Sequence, residues 1–152
     1  MGYTMDQQKS VFRIKNEDFQ ELIVTWIQET ETNPTGHRVD LKTLKDRMFN
    51  DAPTVSEKMA ELFDAYRWEL DFDEENNISA IYFNGEKYWD DDNTLLKTIA
   101  PYVTDGSFIE MRGEDGEVWR WVYKNNAIET HYAELTFPTI EKTIASPEPS
   151  GV

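Results

Sequence analysis

A chain of 152 residues with 39% hydrophobic and 13% aromatic content is long enough to bury about two thirds of the surface its unfolded form exposes, which excludes a disordered chain. Thirty acids against fifteen Lys and Arg leave a formal charge of -15, a balance that opposes contact with nucleic-acid phosphates and anionic lipid. The absence of cysteine excludes disulfides, thiolate metal sites and Cys nucleophiles and suits a reducing compartment.

The opening residues MGYTMDQQKS lack the basic start and apolar run of a signal peptide, and no apolar stretch approaches the roughly 18 residues that span a bilayer. A cytoplasmic protein with no membrane contact is expected. Residues 1–10 are polar and residues 138–152 are rich in Pro, Ser and Thr, so both ends are expected to lie loose around one domain over 11–137.

From Asn16, which is placed to cap, Phe19, Leu22, Ile23, Trp26 and Ile27 fall at helical spacing on one stripe. Asp40 is placed to cap a short helix with Leu41, Leu44 and Met48 on one side. Thr54 and Glu57 form an S/T-x-x-E capping box ahead of Val55, Met59, Leu62, Phe63 and Tyr66. The period then changes: Trp68, Leu70 and Phe72 alternate with Arg67, Glu69 and Asp71, a strand with one wet face. A second strand is expected over Ile78–Phe83, and Asn84-Gly85 signals a two-residue hairpin to Lys87, Tyr88 and Trp89. Asp90, Asp91 and Asp92 introduce a helix, Asn93–Ala100, stopped by Pro101. Strands follow over Ser107–Arg112, Glu117–Lys124 and Ala127–Phe137, joined by the turns Gly113-Glu114-Asp115-Gly116 and Asn125-Asn126. A helical front and a hairpin-rich back read as an α+β fold, the helices packed on one face of an antiparallel sheet of about five strands.

The acidity is uneven. Between Glu61 and Asp92 stand eleven acids against Arg67 and Lys87 alone. The run Asp71, Asp73, Glu74, Glu75 starts like a calcium loop but has Asn76 where Gly is needed and Tyr82 where a bidentate Glu is needed, so a solvated turn is the reading. His37 and His131 lack the spaced partners of a transition-metal site, and Ser107 lacks a nucleophile elbow. No metal, cofactor or catalytic residue is assigned. Alternation places Trp119, Trp121 and Tyr123 on one face of a strand and Val118, Arg120 and Val122 on the other. Two readings stand: the aromatic face packs on the helices while Arg120 pairs with Glu110 or with acids around Arg112, or part of that face stays open beside Glu114 and Asp115 as a contact patch.

The segment Ile99–Tyr123, with its IAPYV-x-DGS-x-IE-x-x-GEDG-x-x-WRW pattern, resembles a pattern recurring in small, acidic, uncharacterised bacterial proteins, many tied to mobile or phage-derived elements. The resemblance covers about a quarter of the chain; it implies a bacterial or phage origin and brings no active site with it.

These features lead to a non-enzymatic acidic binding protein, an inhibitor or immunity protein that engages a basic or nucleic-acid-handling partner by presenting carboxylates in place of phosphates, with no direct nucleic-acid contact. The expected contact residues are Glu69, Asp71, Asp73, Glu74, Glu75, Asp90, Asp91, Asp92, Glu114, Asp115, Trp119 and Trp121. Two alternatives stay open: a small-molecule site or enzyme in which the aromatic face lines a pocket with Arg112, Arg120 and a carboxylate as its polar groups, in a cavity containing perturbed carboxylates or His131, and a structural module that buries the Trp face against another copy.

Overall fold

The computed structural model describes residues 3–85, 87–134 and 136–137. Among them run, in chain order, β1 (Tyr3–Val11), α1 (Phe19–Thr32), α2 (Leu41–Asp46), α3 (Val55–Ala65), β2 (Trp68–Phe72), β3 (Ile78–Phe83), β4 (Lys87–Tyr88), α4 (Asn93–Thr98), β5 (Phe108–Gly113), β6 (Val118–Lys124) and β7 (Ala127–Tyr132). The fold is α+β. A five-stranded antiparallel sheet has the order β4-β1-β5-β6-β7, and β2 and β3 form a separate pair.

The helices follow from their apolar stripes. Phe19, Leu22, Ile23 and Trp26 are buried on α1 and Met59, Leu62 and Phe63 on α3. The capping box of Thr54 and Glu57 forms, and Asp40 Oδ1 accepts from the Thr43 N–H at 3.1 Å, as read. Asn16 does not cap α1: its amide donates to the Glu75 carbonyl at 2.6 Å and its N–H to Asn77 Oδ1 at 2.8 Å. The side chain ties the start of the helix to the β2–β3 turn and leaves the cap to a 3-10 turn over Asn16–Asp18. A π-helical turn, Arg47–Asp51, continues α2.

Residues 3–10, expected to lie loose, are instead part of β1, which lies between β4 and β5. Thr4, Asp6, Gln8 and Lys9 face solvent while Met5 is buried, and the strand pairs with β5 over residues 5–11 around a bulge. The C-terminal segment 138–152 lies outside the described residues. A second correction concerns the Asn84-Gly85 turn. β4 does not return along β3 but pairs with β1 through Tyr3–Tyr88 and Thr4–Lys87, while the Asn84 N–H turns back to the Arg67 carbonyl at 2.7 Å.

The two sheets are stitched at β1. The Gln7 side chain bonds the β3 backbone like a strand, donating to the Ile81 carbonyl at 2.8 Å and accepting from the Phe83 N–H at 2.6 Å. Farther along, Ile14 exchanges backbone hydrogen bonds with Ile78 at 3.2 and 2.9 Å. One core results, centred on Trp26, Phe63, Tyr66, Trp68, Ile109, Met111 and Tyr123. Tyr123 of β6 donates its hydroxyl to the Leu96 carbonyl of α4 at 3.0 Å, so the aromatic face packs on helix. Among the described residues no helix is long and apolar enough to cross a membrane.

Candidate partner-binding groove and acidic surface

Along β6 burial alternates as expected, with Trp119, Trp121 and Tyr123 on the inner side. Trp121 lies 5.4 Å from Tyr88, 5.9 Å from Trp119 and 6.4 Å from Trp68 between ring centroids, and Tyr3 lies 6.3 Å from Trp119. Most of each Trp is core: Trp119 is 8% and Trp121 7% exposed. The exposed remainder forms part of a groove of roughly 420 Å³ lined by Tyr3, Tyr88, Asn93, Glu117, Thr130 and Tyr132 among others. The strand thus carries a buried aromatic layer whose outer edge meets solvent.

The rim is acidic. Glu117 lines the groove. Glu114 at the β5–β6 turn binds β1 twice, its carboxylate accepting from the Thr4 N–H at 2.7 Å and its N–H donating to the Thr4 carbonyl at 2.9 Å. The Tyr3 hydroxyl donates to Asp115 Oδ2 at 3.3 Å. A Cβ at Gly113 would overlap the Tyr3 ring, so any larger residue here displaces that side chain. Of the acids expected to contact a partner, Asp115 bonds a groove-lining residue, Tyr3, and Glu114 holds the neighbouring Thr4.

The others lie elsewhere. Glu69 and Asp71 are exposed on β2; they accept from the Asn84 amide at 3.1 Å and the Tyr82 hydroxyl at 3.0 Å. Asp73 closes the β2–β3 turn, accepting from the N–H groups of Glu75 and Asn77 at 2.9 Å each. The Asn77 backbone bond leads in holding its pKa below the ordinary carboxylate value. Glu74 and Glu75 are exposed at that turn, beside a cleft of roughly 690 Å³ lined by Arg13, Lys15, Asn16, Glu17, Glu75 and Asn77 among others. Asp90 and Asp91 lie in the 3-10 turn before α4, with Asp91 exposed.

Asp92 is corrected outright. Its side chain is fully buried and accepts from Arg67 at 2.7 Å, Arg38 at 3.3 and 3.4 Å, and the Trp89 N–H at 3.2 Å. Both guanidiniums lie over the Trp89 ring, at 4.4 Å for Arg38 and 5.0 Å for Arg67. This carboxylate joins the α1–α2 connection, the end of α3 and the start of α4, and offers nothing to a partner.

Arg120 Nε donates to Glu110 Oε1 at 2.8 Å, the pairing read from alternation. By the same register Arg112, Arg120 and His131 project from the sheet face opposite Trp119 and Trp121. Arg112, Arg120 and His131, expected at a small-molecule site, are thus split from the aromatic groove by the sheet itself, and of that polar set a carboxylate alone, that of Glu117, lines the groove among the described residues. Among the described residues no group of three or more His, Asp or Glu is placed to hold a metal ion.

One polar chain was not visible in the sequence. Trp26 Nε1 donates to the Tyr66 hydroxyl at 3.1 Å, which lies 2.9 Å from His37 Nδ1. Tyr66, its pKa pushed up to about 12 by burial, supplies the shared proton, so His37 Nε2 carries the other; that atom is buried without a partner among the described residues. Burial holds the His37 pKa below the ordinary value. Between about pH 6.5 and the lowered native value the unfolded chain therefore takes up a proton that the native chain refuses, so this group withdraws stability as pH falls through that window. Thermal melts from pH 7.5 to 5 should show His37→Gln losing less stability than the wild-type chain; equal pH slopes would refute the assignment.

No family model matches the chain, and no curated protein or solved structure matches it.

Proposed function

We propose that this chain is a non-enzymatic acidic binding protein that engages a basic partner protein as an inhibitor or immunity protein does, with the aromatic groove as its contact centre. The observation carrying this reading is the placement of Tyr3, Tyr88, Trp119, Trp121 and Tyr132 around one groove whose lining includes Glu117, beside the Glu114-Asp115 turn that Tyr3 joins. A Lys or Arg side chain entering it meets aromatic faces and carboxylates together, which suits cation–π and ionic contact at once. The overall charge of -15 accelerates encounter with such a partner and makes association salt-sensitive.

The resemblance of Ile99–Tyr123 to segments of bacterial and phage-linked proteins agrees with such a role, and a cytoplasmic setting fits the composition. The nucleic-acid-mimicking form of the proposal rests on the exposed carboxylates of Glu69, Asp71, Glu74 and Glu75 along β2 and its turn.

An arginine-rich peptide titrated against the intrinsic Trp fluorescence tests the groove. Glu117→Lys should weaken binding several-fold more than Asp51→Lys, which makes the same change in net charge at an exposed position after α2. Tyr132→Ala should weaken it further at unchanged charge. Equal effects of the two charge reversals would reduce the interaction to bulk electrostatics and overturn the groove. Competition by duplex DNA for a basic partner protein, without binding of DNA to the chain itself, would carry the mimicking form.

A further inference from the structure

A sheet edge presents unpaired backbone groups, and folded proteins blunt such edges with charge, bulges or covering chain. Most edges here are treated so. β4 is two residues long, β2 carries exposed Glu69 and Asp71, and β3 is closed by the Gln7 side chain and by Ile14. β7 differs. Its six residues, Ala-Ile-Glu-Thr-His-Tyr, include no Lys, Pro or Gly, and all but Ile128 are exposed.

The ladder fixes which groups are open. The Ala133 N–H donates to the Val118 carbonyl at 3.0 Å, while the Tyr123 N–H turns to Ser107 on the other side of β6 at 2.9 Å. Hydrogen bonds of an antiparallel pair use alternate residues. With Arg120 opposite His131 and Val122 opposite Glu129, it is Glu129 and His131 whose backbone bonds to β6. The N–H and C=O of Ile128, Thr130 and Tyr132 point to the open edge, and no described residue bonds to them.

We infer that this edge pairs antiparallel with the same edge of a second copy of the chain, about a two-fold axis at Thr130, joining two five-stranded sheets into one. The sequence Ile-Glu-Thr-His-Tyr is complementary to itself in this register. Thr130 faces Thr130, Ile128 faces Tyr132 on the inner side, and Glu129 faces His131 of the second copy twice on the outer side. Moving the axis to residue 129 sets Glu129 against Glu129, and moving it to 131 sets His131 against His131. Within each chain His131 Nε2 already lies 2.8 Å from Glu129 Oε1; the central register offers the same carboxylate–imidazole pairing across the axis, whereas the register at 129 sets two carboxylates against each other, which destabilises, so the central register is favoured. Pairing also covers ground near Tyr132, which is 63% exposed.

Sedimentation velocity of the full chain over the micromolar range tests this. The mass should rise with concentration from 17.8 kDa toward twice that value, and the amides of Ile128, Thr130 and Tyr132 should gain protection from hydrogen exchange in step with it. Thr130→Pro removes an edge N–H that the monomer does not use, so it should stay monomeric with an unchanged circular dichroism spectrum. Glu129→Lys should weaken association about tenfold, because the two-fold axis repeats the substitution, and the exchange Glu129→His with His131→Glu should restore it. A wild-type chain that stays monomeric, a dimer in which those three amides exchange freely, or a Thr130→Pro variant that is folded and dimerises normally would each overturn the inference.

Discussion

Asp92→Ala should melt about 6–12 °C below the wild-type chain. Asp92 is fully buried and accepts from two guanidiniums and a backbone N–H. Removing one member of a buried ionic cluster typically costs about 3–5 kcal/mol, because the remaining charge loses its partner and stays poorly hydrated. Here the arginines keep some water, with Arg38 34% and Arg67 24% exposed, which sets the cost near the lower end, about 3 kcal/mol. For a domain of this size each kcal/mol moves the melting temperature by about 2–4 °C. Asp92→Asn should fall between the two, since it keeps an oxygen for the Trp89 N–H but no charge. Adding Arg67→Met to Asp92→Ala should recover part of the loss by removing one stranded cation. A melting temperature within about 2 °C of wild type for Asp92→Ala would show that the cluster contributes no net stability.

That cluster also marks where sequence reasoning stops. Local signals were legible: the stripes of α1 and α3, the Thr54–Glu57 capping box, the alternation of β2 and β6 and the Asn125-Asn126 turn, whose two residues have φ of 54° and 64°. Each is set by residues a few positions apart. Three consecutive Asp residues read as a solvated helix start, and nothing local marks the third as buried, because its partners Arg38 and Arg67 arrive from the α1–α2 connection and from the turn after α3. Arg67 compounds the difficulty. It follows α3 with φ of 70°, a left-handed position where Gly is usual, and it is held there by its N–H bond to the Asp64 carbonyl at 2.8 Å, by the Asn84 N–H on its own carbonyl, and by Asp92.

The N-terminal strand was hidden for a related reason. β1 carries Asp6, Gln7, Gln8 and Lys9 in a row, so little alternation survives to announce a strand. Its backbone takes the place beside β4 that the Asn84-Gly85 signal assigns to β3. For the candidate site, the inward direction of Trp119 and Trp121 followed from period-two alternation, but their companions Tyr3, Tyr88 and Tyr132 come from three separate strands. Only the sheet order assembles them.

The buried tryptophans give the second large effect. Trp68→Ala should cost about 4–5 kcal/mol, since the ring is fully buried and contacts Phe83, Tyr88 and Trp121 at centroid distances of 5.1, 6.4 and 6.4 Å, and truncation adds a cavity to the lost transfer energy. Trp68→Phe should cost far less, about 1–2 kcal/mol. Its Nε1 is buried without a partner among the described residues, so losing the indole N–H also removes an unmet desolvation penalty that offsets part of the lost volume. Trp26 is equally buried but donates to Tyr66, and Trp26→Phe takes away the donor that satisfies that hydroxyl. It should cost about 1 kcal/mol more than Trp68→Phe for the same change in shape. Urea unfolding of the two Phe variants measures the difference directly. Equal costs would mean that the Trp26–Tyr66 hydrogen bond is not maintained in solution, and with it the ordering of His37 would lose its basis.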